Sequence, residues 1–327
     1  MSGASIEVTV VIPTRNRVRC LSQALASALG QEDVSVQAIV VDEGSSDGTQ
    51  AYLAAVSDPR VEVVRHEKPG GPSAARNAGI ALAKGAWIAF LDDDDLWGPP
   101  KLRSQLDALA ARPECRWACV GAVHVDASLQ VVGAVRLRNS DRIVERLLER
   151  NVIPGSASAV MVDAELLRDE GGFREDLSAD EDWECWIRLA ERSPLAVVDR
   201  PLTAYRMDAG SRSHDVERQA REEGRVRALH APLTEKYSVV PDTQFSNLYR
   251  ARQEMRLGRR LRPARRFVAA ARPGRPRYLL SAAAALVSPR ATSAIGMWRW
   301  RRSLDPDWLE EATRWLARYE GGEHGGG

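Results

Sequence analysis

The sequence predicts an α/β fold with a mixed, mostly parallel central sheet, followed by a helical C-terminal region. Three observations lead there. Short apolar runs bounded by turn residues alternate with helical stretches of about 10–15 residues, the signature of βαβ units. The runs are apolar almost throughout, as in a parallel sheet covered on both faces. Beyond about residue 235 the β-branched runs stop and arginine-rich helical sequence takes over.

Each element has its own signal. Val8 to Ile12 is a β-branched run stopped by Pro13, and a helix follows to Leu29 with Gly30 ending it. Val36 to Val41 is a second strand, and Asp47-Gly48-Thr49 opens a helix to about Val56 with Asp47 as its cap. Val61 to Val64 is a third strand. Ser73 is placed to cap a helix that ends at Gly85. Trp87 to Leu91 is a fourth strand, and Pro99-Pro100 starts another helix. Ala118 to Val125 and Val131 to Leu137 form a strand pair around Asp126-Ala127-Ser128. Ile143 to Leu148 is helical, Ala157 to Val162 a strand, and Leu177 to Arg192 a helix. Leu195 to Val198 and Thr203 to Tyr205 are extended. One α/β domain is thus expected over residues 7–235 and a basic helical region over 236–320, with disordered ends at 1–6 and 321–327.

Composition limits the function classes. Of 327 residues 44% are apolar and 28% charged, enough to build a core and against global disorder. The 46 basic and 45 acidic side chains nearly cancel, so no overall field marks a nucleic-acid binder. Cys20, Cys115, Cys119 and Cys185 are scattered, and Cys115-x3-Cys119 has no second pair to complete a zinc site. They are expected to be reduced packing residues of a cytoplasmic protein. No basic-then-apolar leader and no run of about 18 apolar residues are seen.

Ligands of parallel sheets bind beyond the carboxyl ends of the strands. Three polar loops fall there: Pro13-Thr14-Arg15-Asn16, Asp42 to Asp47, and Asp92-Asp93-Asp94-Asp95. Four successive carboxylates repel one another unless they are exposed or gather a cation, and aspartate oxygens suit Mg²⁺ or Mn²⁺ shared with a diphosphate. Asp42 can accept from a nucleobase N–H or a ribose hydroxyl, or simply cap its turn. The segment Gly70 to Gly79 lacks the Lys-[Ser/Thr] of a P-loop, and no G-x-G-x-x-G follows a strand, so ATPase and dinucleotide readings lose support. Its helix amino terminus can face a phosphate with Arg76 pairing to it, or can be ordinary capping. Asp180 to Glu184 either complements a helix dipole or supplies a general base. Trp186 is expected in the core, and Trp183 either packs or forms an acceptor platform.

Taken in order, Val11 to Arg17, Val40 to Thr49, Gly71-Pro72 through Gly79, Phe90 to Asp95 and Glu181-Asp182-Trp183 resemble the motif series of inverting family 2 glycosyltransferases of the GT-A fold. The resemblance covers roughly residues 7–210, with Arg15 where an aromatic is common and Glu43 where aspartate is common. It implies a nucleotide-binding half over 7–115 and an acceptor half over 116–235. It assigns Pro13, Thr14, Arg15, Asp42, Gly71, Arg76, Asp92 and Asp93 to a nucleoside-diphosphate-sugar donor, UDP-linked by default. Asp94 and Asp92 would hold Mg²⁺ or Mn²⁺, with His214 either a further ligand from a closing loop or a plain surface histidine. Asp182 would be the general base, with Glu181 and Trp183 on the side of the acceptor hydroxyl. Competing readings are a sugar nucleotidyltransferase, which lacks here its Gly-rich basic loop after the first strand, and an inactive nucleotide-sugar-binding scaffold.

The C-terminal region admits two readings. From Arg250 to Arg302 there are 15 arginines and one acid, Glu254. Such helices can lie on an anionic membrane surface, making the protein peripheral to the inner face, or pack on the acidic side of the catalytic domain, closing the acceptor cleft or making a homodimer.

Overall fold

The computed structural model describes residues 6–207, 215–271, 277–302 and 304–319. The chain forms two compact units: Met1–Ile143 with Ile153–Met207 and Asp305–Gly327, and Val144–Val152 with Asp208–Leu304. The described strands are β1 (Val8–Thr14), β2 (Val36–Asp42), β3 (Val61–Arg65), β4 (Trp87–Phe90), β5 (Leu96–Trp97), β6 (Trp117–Val125), β7 (Val131–Val135), β8 (Val160–Asp163) and β9 (Leu195–Arg206). The described helices of the first unit are α1 (Val18–Leu29), α2 (Thr49–Ala55), α3 (Pro72–Leu82), α4 (Lys101–Ala110), then α5 (Ile143–Glu149) at the crossing between units, α6 (Ala164–Asp169) and α7 (Glu181–Arg192). The second unit adds α8 (Val216–Leu229), α9 (Ala231–Lys236), α10 (Thr243–Arg256), α11 (Leu261–Ala270), α12 (Arg277–Val287) and α13 (Pro289–Arg302), and α14 (Pro306–Leu316) returns to the first.

The first unit is built on one mixed sheet in the order β3-β2-β1-β4-β8-β6-β9-β5, with β7 beside β6. β3, β2, β1 and β4 are mutually parallel, so the loops leaving their carboxyl ends share one edge. β8 runs antiparallel between β4 and β6, and β9 is parallel to β6. Alternation along β1 sends Val8, Val10 and Ile12 into a core with Leu21 and Leu25 of α1 and Leu102 and Leu106 of α4. The opposite face packs Ile39 and Val41 against Ala75 of α3. Gly79 lets α3 come this close: a Cβ there would lie 2.4 Å from Val11 Cγ1.

Several elements differ from expectation for identifiable reasons. β1 runs through Pro13 to Thr14, because its pairing with β4 ends at Val11–Phe90 and Pro13 has no ladder bond to lose on that side. Helix α3 ends at Leu82 and is capped by Gly71 at φ 90° with Pro72 in the first turn, not by Ser73. The expected strand from Ala157 begins as a 3₁₀ turn, Ser156–Ala159, and becomes β8 only at Val160. Helix α7 starts at Glu181 after a left-handed Asp180, four residues later than Leu177. β9 is one irregular strand through Pro201. β5, two residues directly after the aspartates, carried no recognisable run.

The boundary expected near 235 falls instead at Met207, and the segment from Asp305 belongs to the first unit. There Trp308 packs over Gly121, where a Cβ would meet its ring at 2.1 Å. Trp315 Nε1 donates to Pro201 O at 2.9 Å, and Arg136 joins Asp199 and Asp305. The arginine-rich run ends at Arg302, and the segment after it is acidic and aromatic. Among the described residues no helix is long and apolar enough to cross a membrane. None of the four cysteines is in a disulfide, and three of them are buried.

One buried residue has a testable cost. Lys101 is fully buried, its Nζ has no hydrogen-bond partner, and it sits 3.8 Å from the centroid of the Trp97 ring. Burial holds its pKa well below the ordinary lysine value. Between that depressed value and about 10.4 the unfolded chain carries a proton that the native state has shed, so stability rises with pH across this window. Replacing Lys101 by Met is expected to stabilise the protein by about 1–3 kcal/mol at neutral pH and to flatten that rise. Urea unfolding from neutral to alkaline pH measures both; an equal slope in wild type and variant refutes the assignment.

Candidate active site

The acidic loop follows β4 and is held on every side. A turn closes it, Asp95 N donating to Asp92 O at 3.0 Å. Its four carboxylates then separate by partner. Asp92 Oδ1 accepts from Arg76 Nη2 at 2.7 Å. Asp93 Oδ2 accepts from Thr14 Oγ1 at 2.7 Å and from the Arg15 amide at 3.3 Å. Arg17 Nη1 donates to Asp93 Oδ1 at 3.2 Å and also to Asp94 Oδ2. Asp95, 1% exposed, accepts from Ser158 Oγ at 2.6 Å and from the Arg206 amide at 3.2 Å. Arg206 Nε donates to the carbonyl of Asp94 at 2.9 Å.

These partners set the titration of the loop. Burial, then the charge of Asp94, pushes Asp93 up to about 7 against the pull of Arg17 and Thr14. Burial also raises Asp94, opposed by Arg17, and raises Asp95 well above the usual carboxylate range. Burial works against the charge of Arg17, but Asp94 and Asp93 outweigh it and hold its pKa above the ordinary arginine value. Asp92 and Asp94 have the more open side chains, at 23% and 17% exposure.

The second centre is the start of α7. Asp182 is buried; its Oδ2 accepts from Ser156 Oγ at 2.8 Å and its Oδ1 from the Trp183 amide at 2.6 Å. Burial and the neighbouring charge of Glu181 push its pKa to about 6, while Ser156, Arg76 and the Trp183 amide pull the other way. Glu181 accepts from Arg76 Nη1 at 2.8 Å. Arg76 therefore joins the two centres: one nitrogen on Asp92, another on Glu181, its guanidinium 5.2 Å from the Phe173 ring centroid. Asn77 fixes that phenylalanine by a pair of bonds to its backbone, at 2.8 and 2.9 Å.

The loop after β2 is knitted to the first loop. Asn16, at φ 54°, donates its amide to Ser45 Oγ at 2.9 Å and accepts from the Ser46 amide at 2.7 Å. Asp42 is 2% exposed; it accepts from the Ser45 amide at 3.0 Å and lies 3.6 Å from Arg65. Glu43 accepts from the Gly71 amide at 2.5 Å and meets His66 Nδ1 at 2.6 Å, tying the start of α3 to this loop.

The structure thus bonds Thr14 and Arg15 to Asp93, and Arg76 to Asp92 and Glu181, with Asp94 in the same acidic loop and Asp182 next to Glu181 in the chain. Pro13 and Asp42 stand on adjacent strand ends, β1 and β2 pairing from Val8–Val36 to Thr14–Asp42, and Gly71 caps α3. Arg76 and Glu181 have partners that the sequence did not indicate, and Trp183 takes the packed one of its two open readings. Arg76 is a buried strut with both terminal nitrogens on carboxylates, not a side chain facing outward to a phosphate. Glu181 is its partner, and Trp183 is 3% exposed. Trp186, as expected, is in the core, stacked on Trp117. His214 lies outside the described residues. Sequence reasoning missed Arg17, Ser156, Ser158 and Arg206. Only Arg17 sat inside a quoted motif; the serines and Arg206 carry no local signal.

The donor set suits a hard divalent cation in kind: aspartate oxygens, two of them partly open, in a loop crowded with negative charge. Among the described residues no three His, Cys, Asp or Glu side chains are grouped to hold a metal by themselves. Two carboxylates completed by substrate phosphate and water are the ordinary arrangement for Mg²⁺.

Residues 9–158 match the sequence profile of the family described as Glycosyl transferase family 2. The succinoglycan biosynthesis protein ExoO of Rhizobium meliloti (strain 1021) is 45% identical over 101 residues, 31% of this chain and 29% of that protein. Across ExoO and similar relatives from Rickettsia the chain spans 29% to 34% of their length. Among solved structures, S. aureus TarS 1-349 in complex with UDP-GlcNAc superposes with a TM-score of 0.56 at 18% identity, covering 94% of this chain and 92% of that one. The mannosyltransferase PcManGT from Pyrobaculum calidifontis, in complex with GDP-Man and Mn²⁺, gives 0.54 at 19% identity, covering 94% and 86%. At these identities the likeness concerns the fold. The match to the family 2 profile takes in the three polar loops and a little under half of the chain, and the chain shares the GT-A fold of these solved transferases.

Proposed function

We propose that the protein transfers a sugar from a nucleoside-diphosphate sugar to an acceptor hydroxyl of a glycan, glycolipid or natural product, with inversion at the anomeric carbon. The observation that carries this reading is Asp182: a buried carboxylate poised near pH 6 and tied through Glu181 and Arg76 to the acidic loop. A general base works best with a pKa near the working pH, and both oxygens of Asp182 already accept bonds that fix its orientation. Asp182 takes the proton of the acceptor hydroxyl as that oxygen forms its bond to the anomeric carbon. The bond from that carbon to the diphosphate oxygen breaks in the same displacement, so no covalent enzyme intermediate forms.

On the donor side, Pro13, Thr14, Arg15 and Asp42 border the base and ribose, with Gly71 opening the helix beside them and Asp93 anchoring Thr14 and the Arg15 amide. Asp94 and Asp92 are the groups to hold Mg²⁺ or Mn²⁺. When bound, the cation supplies charge neutralisation of the leaving diphosphate. Arg17 balances these carboxylates in the protein alone and stands beside them to meet phosphate oxygens. UDP-GlcNAc in TarS and GDP-Man with Mn²⁺ in PcManGT support a nucleotide-sugar donor, and UDP is favoured for this chain. The name of ExoO supports a polysaccharide acceptor.

Calorimetry with UDP, GDP, dTDP and CDP, each with Mn²⁺ or with EDTA, tests the donor site. One nucleotide is expected to bind only with the metal, and Asp94→Ala to abolish that binding. Failure of all four under both conditions overturns the reading; metal-dependent binding without transfer to any acceptor leaves a nucleotide-sugar-binding protein.

With a donor in hand, kcat/KM is expected to fall as pH drops through about 6, where Asp182 takes up a proton and stops being a base. Glu181→Gln removes a like charge and moves this limb to lower pH; Ser156→Ala removes a bond to the carboxylate and moves it higher. Limbs that stay in place in both variants exclude Asp182 as the titrating group.

Arg76→Gln leaves Asp92 and Glu181 without their buried counter-charge and is expected to cost about 3–5 kcal/mol of stability. Adding Glu181→Gln recovers part of that loss. Strict additivity of the two changes in urea unfolding contradicts the strut.

A further inference from the structure

The second unit carries helices whose apolar arrangement is reversed. Its core joins Met255 of α10, Phe267 of α11 and, from α12, the small Ala282 and Ala285, with Tyr278 partly buried against them. The large aliphatic side chains of α12 are exposed instead: Leu280 is 73% and Val287 77% exposed, and Leu279 and Leu286 are exposed beside them. On α11, Leu261 and Val268 are exposed as well. A helix facing water shows polar residues there. Twelve of the fourteen exposed large apolar side chains described lie in this unit, so the pattern is local rather than general. α11 and α12 together bound a groove of about 430 Å³ lined by Leu261, Val268, Ala282 and Leu286, with Arg265 at its side.

Charge identifies the occupant. Arg259, Arg260 and Arg262 surround Leu261. The single acid between residues 250 and 302, Glu254, is fully buried and already holds Arg266 at 3.0 Å. A second copy docking through this face by a two-fold axis would set Arg259, Arg260 and Arg265 against the same arginines, and the exposed acid beside them, Glu217, is already paired with Arg262. α12 has eleven residues, about 16 Å, and is too short to cross a bilayer core of about 30 Å. Apolar side chains ringed by arginine match an anionic lipid surface, where the leucines enter the acyl boundary and the guanidinium groups meet phosphates.

We propose that the α11–α12 face is a docking surface for an anionic membrane, with the helices lying in the interface plane. This goes beyond the transferase reading and stands or falls apart from it.

Flotation of the full chain tests it, using vesicles of phosphatidylcholine alone and of phosphatidylcholine with phosphatidylglycerol, at low and high salt. The protein is expected to float with the mixed vesicles at low salt, less at high salt, and to stay behind with phosphatidylcholine alone. Leu280→Glu with Val287→Glu, and separately Arg260→Glu with Arg265→Glu, are expected to lower partitioning by about tenfold or more. All four side chains are exposed, so the thermal midpoint and nucleotide binding should not change, which separates lost docking from lost folding. Absence of flotation with anionic vesicles at low salt overturns the proposal, as does flotation equal in wild type and both variants. A dimer in sedimentation velocity that Leu280→Glu dissolves also overturns it, in favour of a second copy.

Discussion

The buried guanidinium of Arg76 is the constraint on which the site depends. It reaches from α3 to the end of β4 and to the start of α7, three elements far apart in sequence. An arginine with 4% of its side chain exposed must find acceptors for its charge or unfold the region around it. Asp92 and Glu181 are those acceptors. Each is in turn a carboxylate that burial would penalise, so the three groups are stable only together. Their geometry leaves little freedom in where the acidic loop stands relative to Asp182. The Asn77 clamp on Phe173 serves the same end, since that ring lies under the guanidinium.

The same reasoning explains why four consecutive aspartates are tolerable. Their mutual repulsion is divided among Arg76, Arg17, the Thr14 hydroxyl and the Ser158–Arg206 pair, so no two carboxylates share the same principal donor except through Arg17. Asp95 is the structural member, sealed beneath the loop and bonded to β9. Asp93 anchors the first loop to the third. Asp92 and Asp94 remain the outward pair, one residue apart, so alternation along a tight turn gives the loop an inner and an outer side.

Much of this was legible in the sequence, in proportion to how local its cause is. β1 to β4 and their helices follow from apolar runs and turn residues, because a covered parallel strand needs a continuous apolar segment. Asp42, Asp92 to Asp95 and Asp182 were found because they end strands or start a helix. The role of Arg76 was not legible: a helix-terminal arginine looks outward until the topology brings α7 beside it. Ser156, Ser158 and Arg206 come from the second half of the sheet, where β8 and β9 join the edge by antiparallel and crossover pairings that no run of residues announces. The return of α14 was hidden for a similar reason, as its Trp308 has a place only once Gly121 leaves room on β6.

Asp182 shows how these constraints reach the chemistry. As the second residue of α7 it stands where the helix dipole and its own bond to the Trp183 amide favour the anion. Burial and Glu181 favour the acid, and they prevail only in part, leaving the group near 6. Ser156 is the larger opposing pull, and Arg76 is the next. By neutralising Glu181 it limits how far the like charge can lift Asp182, and its own positive charge adds a direct pull toward the anion. The residue that braces the acidic loop therefore also helps hold Asp182 near 6, where the general base proposed for the transfer would work.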